Sequence, residues 1–314
     1  MRFLVAAFAC LCLAGGLTSA QAPPAGVAQY EITAIIDHPA SVQLNAMHLN
    51  NKNEVAGRYK TDMACHVPEV SFVWSNGTFR EISFPGAYTT RLEGLDEHGA
   101  VSGSIIMDPI VPGPNCGLDF RQGFVMSPDG VFQTLPWAPL HSVVNNITSN
   151  GWMTGPTASC NWRVYGAGCL YGFLYNGRDE PLLLEPPGCN FTDAQDVNIR
   201  GDVVGPCYQL LSGPSRGFRF RNGAYEFIDF PGATSTSVSG TNSAGDLIGQ
   251  ASLPAPGGAV NFIRRGNRFA AIEVMGAETV VTATVWDVND LGTISGVFKG
   301  EDGRQRGFIA RPIR

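Results

Sequence analysis

The sequence predicts an all-β protein: a six-bladed β-propeller with four-stranded blades, its ring closed by the two ends of the chain. Three observations predict it. A glycine-rich unit recurs six times at intervals of 44 to 52 residues. Each unit reads as two β-hairpins, and a period of this length with four strands per repeat is the signature of a propeller. The chain also begins with the second strand of a hairpin and ends with the first, so its ends are complementary halves of one blade.

The clearest unit runs from Arg216 to Gly249, RGFRFRNGAYEFIDFPGATSTSVSGTNSAGDLIG. Gly217-Phe218-Arg219-Phe220 reads as a strand. Asn222-Gly223 is a strong hairpin turn, because both residues tolerate the positive φ of a type I′ turn. Tyr225 to Phe230 alternates as the second strand, and Pro231-Gly232-Ala233 turns the chain. Ser237 to Asn242 and Asp246 to Gly249 form another hairpin, turned at Gly245.

The second hairpin turns at Asn53, Gly99, Gly151, Gly201, Gly245 and Gly292, with a further glycine four residues later at Gly57, Gly103, Gly155, Gly205, Gly249 and Gly296. Three residues before each turn stands Asn50, Asp96, Thr148, Asn198, Asn242 or Asn289, side chains able to bond the turn's own backbone. The first hairpin opens on Phe72, Phe124, Phe173, Phe218, Phe262 and Phe308. Its turns are Asn76-Gly77, Asp129-Gly130, Asn176-Gly177, Asn222-Gly223 and Gly266-Asn267, one fewer than its strands. The missing hairpin is completed by pairing the N-terminal strand (about 30–36) with the C-terminal strand (about 306–311). An open solenoid would instead carry atypical caps. The second hairpin is expected innermost, with Ser237, Ser239 and Gly240 lining the crowded axis and the N-terminal strand outermost in the last blade.

The unit G-F-x-aromatic-x-N-G, then I-D-F-P-G-A-T-S-T-S, then N-x-x-G-D-L/I-x-G resembles the HAF family of probable extracellular repeats. The resemblance is strong over 71–104 and 216–250 and looser over 121–157 and 262–298. It implies an exported β-propeller and brings no catalytic motif with it. The chain departs from the pattern at Leu135-Pro136-Trp137, at Glu185-Pro186-Pro187 and at Thr148.

Residues 1–20 read as a secretory signal peptide: Arg2, an apolar run from Phe3 to Leu17, and Thr18-Ser19-Ala20 as the cleavage site. A short linker (21–29) and a single propeller domain (30–314) follow. The expected location is secreted or extracellular, or periplasmic in a bacterium. A net charge of −6 with no basic run argues against nucleic acid as a partner, and no mature segment is long enough for membrane insertion. A monomer without a cofactor is expected.

Removing the signal peptide leaves six cysteines, an even number that reads as three disulfides in an oxidising compartment. No close pair of the zinc-ligand kind is present. Proximity favours Cys65–Cys116, Cys160–Cys169 and Cys189–Cys207 among the 15 possible connectivities.

In a propeller the N-G and N-x-x-G turns share one face, and all remaining connections lie on the other. The cysteines and the long segments 58–69, 104–120 and 156–170 therefore share a loop face. Bridged loops can hold a preorganised binding surface, or can serve against fraying and proteolysis. Trp162, Tyr165 and Arg163, with Tyr59, Trp137 and Tyr208, are the candidate ligand contacts there, since aromatic side chains suit sugar rings or peptide side chains. They can equally pack loop on loop. His38, His66 and His141 are metal candidates only if they reach the axis, and otherwise read as unrelated surface histidines. Asp62, Glu69, Asp108, Asp119 and Glu185 are the loop-face carboxylates from which a glycosidase would need a pair. The functional expectation is a secreted scaffold binding an extracellular glycan or protein through this face. The alternatives are a carbohydrate-active hydrolase or lyase at the axis, and a structural surface protein without a discrete site.

Overall fold

A computed structural model describes residues 26–109, 120–138, 141–158, 170–210, 213–276 and 279–313. Every helix or strand among them is a β-strand. β1 (Gly26–Ile36) begins inside the expected linker. One four-stranded sheet orders β2 (Gln43–Leu49), β3 (Val55–Lys60), β4 (Val70–Ser75) and β5 (Thr78–Ile82). A second orders β6 (Thr89–Leu95), β7 (Val101–Ile106), β8 (Gln122–Met126) and β9 (Phe132–Thr134).

In the next two sheets the first strand is broken into two short pieces. β10 (His141–Ser142) and β11 (Asn146–Ile147) both pair with β12 (Met153–Ala158), followed by β13 (Leu170–Tyr175) and β14 (Leu182–Leu184). β15 (Phe191–Thr192) and β16 (Asp196–Val197) both pair with β17 (Val203–Tyr208), followed by β18 (Ser215–Arg221) and β19 (Ala224–Ile228). The remaining strands are β20 (Ser235–Thr241), β21 (Leu247–Ser252), β22 (Ala259–Arg265), β23 (Arg268–Met275), β24 (Thr282–Val288), β25 (Ile294–Lys299) and β26 (Gln305–Pro312). With β1 they form one eight-stranded sheet, ordered β20-β21-β22-β23-β1-β26-β25-β24.

The expected pairing of the chain ends is present: Tyr30 to Ile36 run antiparallel to Pro312 back to Gly307. The expected separation into independent four-stranded sheets is not, because hydrogen bonding defines five sheets. The cause is the length of β1. Its N-terminal half, Gly26 to Glu31, pairs in parallel with Ala270 to Met275 of β23. Both edges of β1 are thereby used, which leaves no open edge at the junction of the chain ends.

The turn chemistry follows the sequence. Asn76 and Gly77, and Asn222 and Gly223, have positive φ at both positions, the type I′ geometry. All six second-hairpin turns also have positive φ. Asn53 (φ 61°) does so without being glycine, and asparagine is among the few residues for which that is cheap. The glycines four residues later are fixed by close approach. A Cβ at Gly103, Gly155 or Gly205 would lie 1.9 to 2.0 Å from the carbonyl oxygen of Arg91, Val143 or Asp193. Ordinary side chains are excluded there.

Each sheet packs its face on the next around a circuit that returns from β24–β26 to β2. One fully buried phenylalanine per repeat anchors the layers between sheets: Phe72, Phe124, Phe173, Phe218, Phe262 and Phe308. Burying such a side chain is worth about 1.5–3 kcal/mol. The arrangement is that of a β-propeller.

Candidate functional site

The first strand of each repeat is innermost. Leu49, Leu95, Ile147, Val197, Thr241 and Val288, the last residues of these strands, converge on one cavity of about 80 Å³ at the turn-bearing face. In β20 the residues Thr236 and Val238 are buried while Ser235, Ser237 and Ser239 are half-buried. The half-buried set faces the axis, as expected for Ser237 and Ser239. The same alternation in the other inner strands places named polar groups at two levels.

The level near the turns holds His48, Asn146, Asp196 and Asp287. His48 Nδ1 lies 3.2 Å from Asp287 Oδ2, and Asp287 accepts the backbone N–H of Leu49 at 2.9 Å and of Val288 at 2.7 Å. Asp196 accepts the N–H of Thr241 at 2.6 Å, the N–H of Val197 at 2.7 Å and the Asn146 amide. Gly240, also expected at the axis, sits against Asp287: a Cβ there would lie 3.0 Å from Oδ1. Burial opposes charging His48, but the charge and hydrogen bond of Asp287, with the charges of Asp196 and Glu93, together lift the imidazole to about 9. Burial and the Asp287 charge push Asp196 up to about 6. These groups spend their hydrogen-bonding capacity on neighbouring strands, so this level is structural.

The level toward the loop face is different. Arg58 pairs with Glu69 at 2.9 Å and with Glu93, and Glu69 also holds Arg91 at 3.1 Å. Asp193 accepts the Gln195 amide at 2.6 Å and the Asn145 amide at 3.2 Å. Burial raises Asp193 to about 6 against the effect of those amides, Glu93 adds to the rise, and Arg121 opposes it. Burial, then the neighbouring Arg91, lowers Arg121 to about 10. Among the described residues no ion pair to the Arg121 side chain is found.

Repeat register explains that isolation. In two repeats the third residue before the anchoring phenylalanine reaches the glycine-opposed residue of the next repeat's inner strand. Glu69 meets Arg91, and Gln305 donates to Asn45 Oδ1 at 3.1 Å. At the same register Arg121 is matched with Val143, and Leu170 with Asp193. Arg121, in the second repeat, and Asp193, in the fourth, are thus each left without their register partner. Together they present a guanidinium, an acid that is half ionised near pH 6, and the side-chain amides of Asn145 and Gln195. Such a set can hold a polar ligand or move a proton.

Of the sequence-predicted contacts, the three that are described, Tyr59, Trp137 and Tyr208, lie in separate packing clusters. Trp162, Tyr165 and Arg163 lie outside the described residues, as do Cys116, Cys160 and Cys169. Tyr59 is buried, stacks on His38 with ring centroids 4.3 Å apart, and donates to Glu81 at 2.8 Å. It is a packing residue. Trp137 packs edge-on against Phe173 and Tyr175. Tyr208 stacks on Phe191 at 5.5 Å, and burial and then the Asp193 charge raise its hydroxyl pKa.

Of the histidines, His38 packs in the Tyr59 stack, His66 is exposed and His141 is buried beside Arg121, whose N–H it accepts at 3.3 Å. Among the described residues no three His, Cys, Asp or Glu side chains are grouped to hold a metal ion. Glu69 is the one expected loop-face carboxylate that joins the axial ionic group. Asp62, Asp108 and Glu185 are exposed, and Asp119 lies outside the described residues. Glu93, Asp193, Arg91 and Arg121 were not among the sequence candidates. The signal was present: the cleanest repeat has Ser237 and Ser239 where other repeats carry Arg91 and Glu93, or Asp193 and Gln195.

Cys189 and Cys207 form the expected disulfide. A groove of about 340 Å³ beside it is lined by Pro187, Leu210, Arg216 and Phe227. Cys65 is also disulfide-bonded. Among the described residues no helix is long and apolar enough to cross a membrane.

Fold and axis together define a β-propeller. No family model matches the chain, and no curated protein matches it. It is similar to the solved structure of an acylaminoacyl peptidase, at 9% identity and a TM-score of 0.50, covering 86% of this chain and 44% of that one. The chain thus spans less than half the length of that peptidase. It is also similar to the β-propeller domain of the Trilobed protease from Pyrococcus furiosus (12% identity, TM-score 0.44, 87% and 84% covered) and to the Aleuria aurantia lectin (9%, 0.44, 90% and 97%). At these identities the likeness concerns the fold alone.

Proposed function

We propose that this chain is an exported six-bladed propeller that binds an extracellular ligand at the axis of its loop-bearing face. The six-blade reading divides the eight-stranded sheet at the parallel β1–β23 seam into two four-stranded blades. Export is supported by the N-terminal signal-like segment, by the Cys189–Cys207 disulfide and by the resemblance to the HAF repeats. The observation that carries the binding reading is the register mismatch, by which Arg121 and Asp193 lack the counterparts that Glu69 and Gln305 have. A partly buried charge without a partner costs stability, and a ligand that supplies the partner offsets that cost. The outer aromatic side chains Tyr59 and Trp137 are committed to packing and leave the axis as the better site.

A glycan and peptide array probed with the purified mature chain tests this, with Asp193→Asn as the comparison. Binding that is at least about tenfold weaker in the variant supports the axial site. Binding unchanged by Asp193→Asn refutes it.

The second reading is a carbohydrate-active enzyme at the same place. Asp193, lifted to about 6, suits a general acid or base, and Glu93 supplies a second nearby carboxylate. Release of reducing ends from a polysaccharide, abolished in Asp193→Asn, would replace the binding reading with this one.

A further inference from the structure

We infer that the axial ligand is an acidic sugar, a uronate whose carboxylate is received by Arg121 while its hydroxyls donate to Asp193 and to the side-chain oxygens of Asn145 and Gln195. The inference rests on the axial site proposed above and specifies its occupant.

The charge count selects a single carboxylate. Arg58 and Arg91 are already committed, Arg58 to Glu69 and Glu93, Arg91 to Glu69. Arg121 is the remaining guanidinium of the group, and among the described residues it has no ion pair. A planar guanidinium matches a planar carboxylate through two parallel N–H···O bonds. A dianionic phosphate would face one uncommitted cation and the repulsion of Glu93 and Asp193.

The rest of the site asks for hydrogen-bond donors. The Asp193 carboxylate is an acceptor, and the amides of Asn145 and Gln195 turn their N–H groups toward it. Asn145 spends both amide N–H groups, on Asp193 and the Ala194 carbonyl, so it and the Asp193 carboxylate offer a ligand oxygen alone. Gln195 offers its oxygen and one remaining N–H. Hydroxyl groups on a sugar ring, beside its carboxylate, fit that pattern. Trp286, half-buried at the register position of Gln195 and Glu93, adds an aromatic surface of the kind sugar rings stack on. Ser237 and Ser239, half-buried in β20, add small hydroxyl side chains at the register positions of Asp193 and Gln195.

The test is calorimetric titration of the mature protein with tetramers of galacturonate, mannuronate and glucuronate, with their methyl esters, with neutral galactose and mannose tetramers, and with acidic peptides. The methyl ester keeps the sugar and removes the charge. At least one free acid is expected to bind, with its ester at least about tenfold weaker. Arg121→Gln is expected to bring acid and ester to equal affinity, and Arg121→Lys to restore part of the difference, because a lysine keeps the charge and loses the fork. Melting curves confirm that each variant folds.

Equal binding of acid and ester by the native protein overturns the inference, as does discrimination that survives Arg121→Gln. A neutral tetramer bound as well as the acid, and lost in Asp193→Asn, leaves the axial site standing and removes the uronate. Binding of peptides but no sugar does the same. No binding by any member of the panel overturns both.

Discussion

The side-chain amide of Asn289 donates to the backbone carbonyl of Asn50 at 3.1 Å, across 239 positions of sequence. Asn198 donates in the same way to Asn242 at 3.0 Å, Asn242 to Asn289 at 3.2 Å, and Asn50 to Asp96 at 3.2 Å. Each asparagine also holds its own turn: Asn289 Oδ1 accepts the N–H of Leu291 and Thr293, both at 3.0 Å. The repeated residue therefore works twice, once within its hairpin and once toward the next repeat. Asp96 and Thr148 cannot donate an amide. Asn150 bridges instead to the Ile199 carbonyl at 2.7 Å.

Asn289→Asp separates the two roles, since Asp96 shows that a carboxylate can hold the turn through His98 and Ala100. The change keeps the turn and removes the donor. A loss of about 0.5–1.5 kcal/mol is expected, the usual net worth of one hydrogen bond, because the Asn50 carbonyl keeps the N–H of Asn53. Urea unfolding measures it, and Thr148→Ser, which alters no bond between repeats, serves as the comparison with a change under about 0.5 kcal/mol.

Removing residues 307–314 takes Phe308 out of the core and leaves β1 paired only with β23. Loss of one such aromatic alone costs about 3–5 kcal/mol. The truncated chain is expected to be unfolded or to melt far below the full-length protein. Equal melting temperatures would contradict a closed ring.

His48 makes stability fall with rising pH. Its folded pKa, about 9, is above its ordinary 6.5, so the folded protein holds a proton that the unfolded chain releases between those values. The contribution is complete below pH 6.5 and is lost as pH rises through about 9. Asp196 and Asp193, both raised to about 6 from 3.8, act in the same sense lower down: they favour the folded state as pH falls from about 6 toward 4. Chemical unfolding across pH 6.5 to 9.5 is expected to show a decline that His48→Gln flattens.

Reduction of Cys189–Cys207, or Cys207→Ala, opens a link between residues 18 apart. Closure of a loop that size is worth roughly 3 kcal/mol by chain entropy. A drop of that order in unfolding free energy is expected, without loss of the other repeats' packing.

Most of the fold was legible because its determinants are local and repeated. Positive φ at Gly99 or Gly245 and the Asn222-Gly223 turn are properties of a few adjacent residues, and six copies phase one another. The parallel β1–β23 seam was not legible. Gly26 to Ala28 lack the apolar alternation of a strand, and that end of β1 is held by backbone pairing to Ala270, Ala271 and Ile272. The proposed axial site escaped for another reason. Arg121 and Asp193 are 72 positions apart, and their relation exists only once the repeats are stacked in register. Read on its own, each is one charged residue beside a short strand, Arg121 just before β8 and Asp193 between β15 and β16.

The placement of the site at the axis is tested most directly by comparing three variants against whichever array ligand or oligouronate the native protein binds. Asp193→Asn and Arg121→Gln are each expected to weaken binding at least about tenfold, and Trp137→Ala, on the packing surface against Phe173, to leave it within about twofold. Binding that survives both axial substitutions and is lost with Trp137 would contradict the account.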